Sequence, residues 1–344
     1  VPKTAIQEPK MSDLLGKLTD MSRLRELLDQ QDSGAARLIV QEEMAAALKG
    51  RVKGQDHVID NVSRLVRLQW GKKERKRPIA NILLLGPTGT GKTELCKAMA
   101  EYLFGDDKNM LLFDCSEFSG TEGKTRLIGT PTGYVGADSG GQLTRPVLNN
   151  PKRLVVFDEI EKAWKGIFDL FLQMMGDGRL TEQGSGRQAD FTQSIIACTS
   201  NAEHDAIGKI QEEVDDPQEQ MDAVKKHLRD SKVFRPEILG RFDRVYVFKP
   251  LEGIVIAEIA VLKMMKTAKA YGVELEYVAP ELVFEAMAKS EKLKDFGVRE
   301  LERVVDEMLA DGLLAAQQAG AERVRLKVED DGVLAIEAVD PEGE

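Results

Sequence analysis

The stretch "NILLLGPTGTGKTELCKAMAEYLF", Asn81 to Phe104, decides the fold. Ile82 to Leu85 form a short continuous apolar run, the pattern of a strand buried on both faces, while Leu95, Met99 and Leu103 recur at helical spacing. Between them Gly86-Pro87-Thr88-Gly89-Thr90-Gly91-Lys92-Thr93 matches G-x-x-x-x-G-K-[ST] in full. The glycines let consecutive backbone N–H groups converge on phosphate oxygens, and the helix that follows adds its positive dipole end. Lys92 is expected to reach the β and γ phosphates, and Thr93 to hold Mg²⁺ through its hydroxyl.

Two further apolar runs extend the pattern. "RLVVFDEIEKAW" ends its strand on Asp158-Glu159. A carboxylate there is costly to bury unless paired, and Mg²⁺ beside Thr93 supplies the partner. Asp158 is therefore expected to hold the metal and Glu159 to act as general base on the attacking water. "SIIACTSNAE" ends on Asn201, which either hydrogen-bonds the γ phosphate or the attacking water, or caps the end of its strand. Buried strands alternating with helical segments predict an α/β fold whose parallel sheet binds ligands at its carboxyl edge.

The 344 residues suffice for roughly two domains. At 42% hydrophobic and 31% charged residues the chain can bury a real core. A net charge of -10 argues against general attraction to nucleic acid phosphates, and the basic run "KKERKR" at 72 to 77 reads as a solvated loop rather than a binding tail. Cys96, Cys115 and Cys198 lack CxxC spacing, so neither a disulfide framework nor a zinc site is indicated. With no signal peptide and no ~18-residue apolar run, a reducing cytoplasm is expected and a membrane association is not. The chain starts "VPKTA", as a fragment of something longer would.

With these residues in place, the sequence resembles the AAA+ ATPases, and within them the Clp group of ring-shaped protein unfoldases and disaggregases. The likeness runs from about Glu42 to about Val339 and is closest to the second ATPase module of two-module members such as ClpA and ClpB. It is carried by "RVKGQDHVI", the phosphate-loop stretch, "RLIGTPTGYVG", "GGQLT", "VFDEIEKA", "DGRLTEQGSGRQADF", "TSN", "FRPEILGRFDRVYVF" and "FGVRELER".

The resemblance implies an AAA+ large domain over 36–249 with helices flanking its parallel sheet, and a smaller, mainly helical domain over 250–344. The hairpin signal "RVRLKVE", Asp331-Gly332, "VLAIEAV" adds a short terminal β-sheet to the latter. It also implies ATP and Mg²⁺ as ligands and a homo-hexamer as the working unit. Val52 and Lys53 occupy the place where the family packs adenine, with Lys53 standing where an apolar residue is more usual; Ile259 is carried over to the same nucleotide site. Arg241 would project into the neighbouring subunit's site, where a guanidinium fork suits phosphate oxygens, unless it is a surface arginine in an ion pair. Arg299, from the smaller domain, would contact the γ phosphate in cis, although Glu300 replaces the usual proline after it.

The glycine-flanked loop "GTPTGYVGADSGG", 129 to 141, corresponds to the loop that in this family hangs into the central channel. Tyr134 and Val135 would there grip an extended polypeptide, the alternative being that Tyr134 tucks back onto its own domain. The second flexible stretch, "EQGSGRQAD" at 182 to 190, would line the channel below. Members that feed a peptidase carry an exposed Ile/Leu-Gly-Phe/Leu tripeptide, whereas the nearest candidate is "AIGKI" with Lys209, so peptidase docking is not expected. Residues 1–35 fall outside the likeness but place Leu14, Leu18, Met21, Leu24 and Leu28 on one helical stripe, either a packed linker helix or a docking helix for an adaptor. The reading that results is an ATP-driven protein-remodelling ring. Its alternatives are a nucleic-acid motor or loader on the same core, which would need basic channel residues, and a regulatory subunit of an ATP-dependent protease; a nucleotide switch without turnover is opposed by the intact catalytic set.

Overall fold

The computed structural model describes residues 38–134, 136–214, 216–290, 298–329 and 334–339. The stripe expected in residues 1–35, Val135, Gly297 and the Asp331-Gly332 turn lie outside the described residues. The elements in chain order are α1 (Gln41–Arg51), α2 (Asp56–Trp70), β1 (Ala80–Leu85), α3 (Lys92–Phe104), β2 (Met110–Asp114), α4 (Glu122–Ile128), α5 (Thr144–Asn149), β3 (Leu154–Asp158) and α6 (Phe168–Asp177). Next come β4 (Arg179–Thr181), β5 (Gln188–Asp190), β6 (Ile195–Ser200), α7 (His204–Glu213), α8 (Pro217–Asp230), α9 (Pro236–Leu239) and β7 (Arg244–Val247). The chain then forms α10 (Ile254–Ala270), β8 (Glu274–Val278), α11 (Pro280–Lys289), α12 (Val298–Gln318), β9 (Arg323–Val328) and β10 (Leu334–Ala338).

Five strands form a parallel sheet in the order β2-β3-β6-β1-β7. Every residue of β1 is buried, which is why its sequence is a continuous apolar run rather than an alternation. Because successive side chains point to opposite faces, Leu83 and Leu85 enter one core with Val155, Phe157 and Cys198. Ile82 and Leu84 enter the other with Leu154, Val156 and Ala197. The second face is covered by α1, α2 and α3 through Leu48, Ile59, Val62, Leu95 and Met99. The first is covered by α6 through Phe168, Phe171 and Met174, with Val224 and Leu228 of α8. Truncating a fully buried leucine such as Leu83 to alanine is expected to cost about 2–5 kcal/mol.

A third core is built from α10, α11, α12 and the last three strands. Leu301, Val304, Val305 and Leu309 of α12 are buried there, as their helical spacing requires. The antiparallel β9–β10 pair matches the expected hairpin, with Leu334 opposite Val328. Sequence reasoning had no β8, which pairs parallel to β9 and makes the small sheet three-stranded. Its five residues "ELEYV" are mostly exposed and carry no buried-strand signature.

The basic run at 72–77 is exposed except for half-buried Arg75, as expected of a solvated loop; Arg75 donates to the Gln69 and Trp70 carbonyls, and Arg77 pairs with Asp243 at 2.7 Å. All three cysteines are buried as free thiols, and burial pushes their ionisation well above the usual thiol range. Among the described residues no helix is long and apolar enough to cross a membrane.

Candidate active site

The phosphate loop runs from the carboxyl end of β1 into the first turn of α3. Gly86, Gly89 and Gly91 have φ of 138°, 76° and 97°, which residues with side chains rarely adopt. At Gly86 a side chain would also lie 2.7 Å from the Phe248 carbonyl oxygen, so the backbone alone fits between β1 and the end of β7. Thr90 donates its hydroxyl to the Pro87 carbonyl at 2.9 Å and closes the loop on itself. Lys92 is buried, its Nζ donating to the carbonyls of Gly86 and Pro87 at 2.7 Å each. Burial pushes its pKa down to about 8, against the opposing pull of Asp158, Glu161 and Glu159. Thr93 stands half-buried beside it.

Around this loop the strand ends bring a carboxylate cluster. Thr199 donates its hydroxyl to Asp158, and the same Thr199 oxygen accepts the Glu159 backbone N–H at 3.1 Å. Glu159 turns the chain with φ 53°, a left-handed conformation that is uncommon outside glycine and clusters at functional sites. Its carboxylate is held from both sides: Asn201 Nδ2 donates to Oε1 at 3.1 Å and Lys162 Nζ pairs with Oε2 at 2.5 Å. The Lys162 bond, helped by Asn201, holds the Glu159 carboxyl below the usual range. Glu161 accepts the Asn201 backbone N–H at 3.3 Å, while its second carboxylate oxygen is buried with no partner among the described residues. Thr199, Glu161 and Lys162 are the residues of this cluster that sequence reasoning passed over, although all three lie inside motifs it used.

Arg299, the second residue of α12, is exposed, and its charge falls close enough to Lys92 to depress that lysine's pKa. The Glu300 carboxylate receives Arg303 one turn along the helix, at 2.7 Å. Val52 is buried against the loop, its Cγ1 3.4 Å from where a side chain at Gly91 would begin. Lys53 is half-buried next to it, and Ile259 packs part-buried on the third core. Gln55 was not anticipated. Fully buried, it donates Nε2 to the Lys249 carbonyl at 2.8 Å and accepts the Lys249 N–H at 3.1 Å, with a longer contact of 3.4 Å to the Thr90 carbonyl. It thereby ties the phosphate loop to the Lys249-Pro250 junction.

Comparison with known proteins agrees with this geometry. Residues 77–245 match the family of the AAA domain (Cdc48 subfamily). The chain is 37% identical over 301 residues to the chaperone protein ClpB of Rhodopirellula baltica, covering 86% of this chain and 34% of that protein. It is 37% identical over 302 residues to the negative regulator of genetic competence ClpC/MecB of Bacillus subtilis, covering 83% and 37% respectively. It is also 39% identical over 277 residues to the chloroplastic chaperone protein ClpB2 of rice, Oryza sativa subsp. japonica, covering 78% and 28%. The chain belongs to the Clp family of AAA+ ATPases. It spans about a third of the length of these relatives.

Two other features of this Clp-family module lie away from the nucleotide site. Arg241 is exposed, and its guanidinium lies over Gly176 at the end of α6, where a side chain would begin 2.9 Å from its central carbon. Among the described residues no carboxylate pairs with Arg241, whereas Arg235 does pair, with Asp169 at 3.6 Å. Tyr134 is 71% exposed at the tip of its loop and is not tucked against its own domain. Neither Gly133 nor Gly136 has a neighbour within 4 Å of where a side chain would start. The second loop is less free than its composition suggests: residues 188–190 of the expected flexible stretch form β5, paired antiparallel with β4.

Proposed function

We propose that this module hydrolyses ATP in a homo-hexameric ring and uses the cycle to draw polypeptide through a central channel, as an unfoldase or disaggregase. The observation that carries the reading is the convergence at one sheet edge of buried Lys92 and the pair Asp158-Glu159, with Glu159 held in place by Asn201 from the neighbouring strand. In this reading Gly86 to Thr93 wrap the phosphates, Val52, Lys53 and Ile259 contact the nucleoside side, Glu159 takes the proton from the attacking water, and Arg299 senses the γ phosphate. The division into a large domain at 36–249 and a small one at 250–344 places Gln55 across the hinge.

The donor set fits Mg²⁺. Among the described residues no group of three or more His, Cys, Asp or Glu side chains could hold a metal unaided. A hydroxyl and one carboxylate, Thr93 and Asp158, suit an ion that completes its shell with phosphate oxygens and water. When bound, Mg²⁺ neutralises phosphate charge.

Arg241 supplies the trans contact. Its exposed guanidinium, without a carboxylate partner among the described residues, is available to a neighbour, and a finger of this kind accelerates phosphoryl transfer by ~10³–10⁵ in other enzymes. Protein rather than nucleic acid as the threaded polymer is supported by the aromatic Tyr134 at the loop tip and by the net charge of -10. Three buried free thiols suit a reducing cytoplasm.

The test is ATPase activity against protein concentration for the parent, Glu159→Gln and Arg241→Ala. Turnover per subunit should rise with concentration and fall at least ~10²-fold in either variant. Concentration-independent turnover with a silent Arg241→Ala would exclude the shared-site ring.

A further inference from the structure

Glu182 is a carboxylate with only 5% of its surface exposed, placed immediately after β4. A charge in such a place needs hydrogen bonds, and this one draws them from two different loops. Its Oε1 accepts the Gly141 N–H at 3.0 Å, from the end of the loop that carries Tyr134. Its Oε2 accepts the N–H of Ser185 at 3.3 Å and the Ser185 hydroxyl, both from its own loop. Neither loop alone satisfies both oxygens.

The surrounding backbone is shaped to this carboxylate. A side chain at Gly140 would begin 2.6 Å from Glu182 Oε1, and one at Gly184 would begin 2.2 Å from the Ala137 carbonyl oxygen. Two further bonds flank the carboxylate: the Gln183 N–H donates to the Ile128 carbonyl at 2.8 Å, and the Thr132 hydroxyl donates to the Gly184 carbonyl at 2.9 Å. The bases of the 129–141 and 182–187 loops are thus interlocked, while at the tip open space lies where a side chain at Gly133 or Gly136 would begin.

We propose that Glu182 is a positioning residue that binds the 129–141 and 182–187 loops into one mechanical unit, so that Tyr134 moves with the β4–β5 hairpin and not independently of it. The inference rests on the channel reading for its functional consequence, but the joining of the loops is testable without it. Freed at its base, the Tyr134 loop would yield under load, and more ATP would be spent for each chain unfolded.

The first measurement is amide hydrogen exchange on the full chain with nucleotide, for the parent, Glu182→Ala and Glu182→Gln. Exchange should quicken together in 129–141 and 182–187 in Glu182→Ala. Glu182→Gln should show a smaller effect of the same kind, since a single carboxamide oxygen serves only one loop. Faster exchange confined to 182–187 would show that Glu182 merely caps its own turn and would overturn the proposal. If Glu182→Ala fails to fold, the isosteric Glu182→Gln carries the test alone.

The second measurement is ATP consumed per molecule of a fluorescent protein unfolded from an unstructured tail. That ratio should rise about tenfold in Glu182→Gln, with the half-saturating substrate concentration moving less than about twofold, because the gripping side chain is still present. Combining Glu182→Gln with Tyr134→Ala should add little to Tyr134→Ala, as expected for residues acting in one unit. A parental ratio in Glu182→Gln, or fully additive losses, would refute the coupling. A parental ratio in Tyr134→Ala would instead refute the channel reading, leaving the exchange result to decide whether the loops are joined.

Discussion

Asn201 Nδ2 donates to Glu159 Oε1 at 3.1 Å across the ends of two neighbouring parallel strands, β6 and β3. The side chain expected to meet phosphate or water therefore also orients the candidate base. The two roles would combine readily, because an amide that also met a γ phosphate would report the state of one to the other. Asn201→Ala should lower kcat about tenfold or more, with the half-saturating ATP concentration changing far less. Steady-state turnover together with equilibrium nucleotide binding separates the two; equal loss in both would mean that Asn201 serves binding alone.

Lys162 occupies the other Glu159 oxygen, and that bond is the main reason the carboxyl ionises below its usual range. A depressed pKa keeps Glu159 ionised but makes it a weaker base. Removing the ammonium in Lys162→Met raises the pKa, so protonation sets in at higher pH and the acid limb of the kcat profile moves upward. The base that is freed is also stronger, so the plateau at neutral pH should rise. A pH–rate profile checks both, and an unmoved acid limb would mean that another group controls it.

Lys92 has the opposite logic. Burial lowers its pKa to about 8, so without nucleotide a fraction of it is neutral in mildly alkaline solution. Phosphate contact favours the charged form, and nucleotide affinity should therefore weaken as pH rises through about 8 and onward. Lys92→Met should bind far more weakly and lose this dependence. The stability of the nucleotide-free protein should respond in the other direction. Between about 8 and the ordinary lysine value of 10.5 the unfolded chain holds the extra proton, so stability rises with pH over that window. Calorimetric titration and denaturant unfolding at several pH values measure the two effects.

Much of the fold was legible because its signals are local. The apolar run of β1 and the glycines at positive φ both follow from burial or backbone geometry within a few residues of chain. β8 was not legible, since its sheet neighbour lies nearly fifty residues away and most of its side chains are exposed. β4 and β5 are three residues each, too short for a period to emerge, so composition alone made the segment look flexible. The carboxylates split in the same way. Asp158 and Glu159 announce themselves at the end of an apolar run, whereas Glu182 acquires its meaning only from Gly141, forty-one positions away.

Gln55 is the extreme case, with partners 194 positions apart in sequence. Gln55→Leu keeps much of the volume but strands the N–H and the carbonyl of Lys249. Leaving the two backbone groups unpaired should cost at most about 1–3 kcal/mol each, less what water recovers at exposed Lys249. Gly54→Ala next to it should also be poorly tolerated, because φ is 73° and the added carbon would lie 2.7 Å from Val255. Urea unfolding gives the stabilities. If the Lys249-Pro250 junction is a hinge, Gln55→Leu should in addition reduce the dependence of Arg299 accessibility on bound nucleotide, measured by chemical modification at that arginine.

The exposed Tyr134 gives the proposed channel its most direct test. With 71% of its surface open at a glycine-flanked loop tip, the Tyr134 ring is free to meet another chain. Its aromatic face packs on many side chains and on peptide groups, so a ring of such residues would hold a substrate without reading its sequence. Tyr134→Phe keeps the face and loses only the hydroxyl, so it should unfold substrate at close to the parental rate. Tyr134→Ala should lose unfolding about tenfold more than it loses ATP turnover. Reversal of that order, with the hydroxyl required and the ring dispensable, would indicate a specific polar contact in place of a sequence-tolerant grip. Equal losses of unfolding and turnover in Tyr134→Ala would mean that the loop supports assembly and does not grip at all.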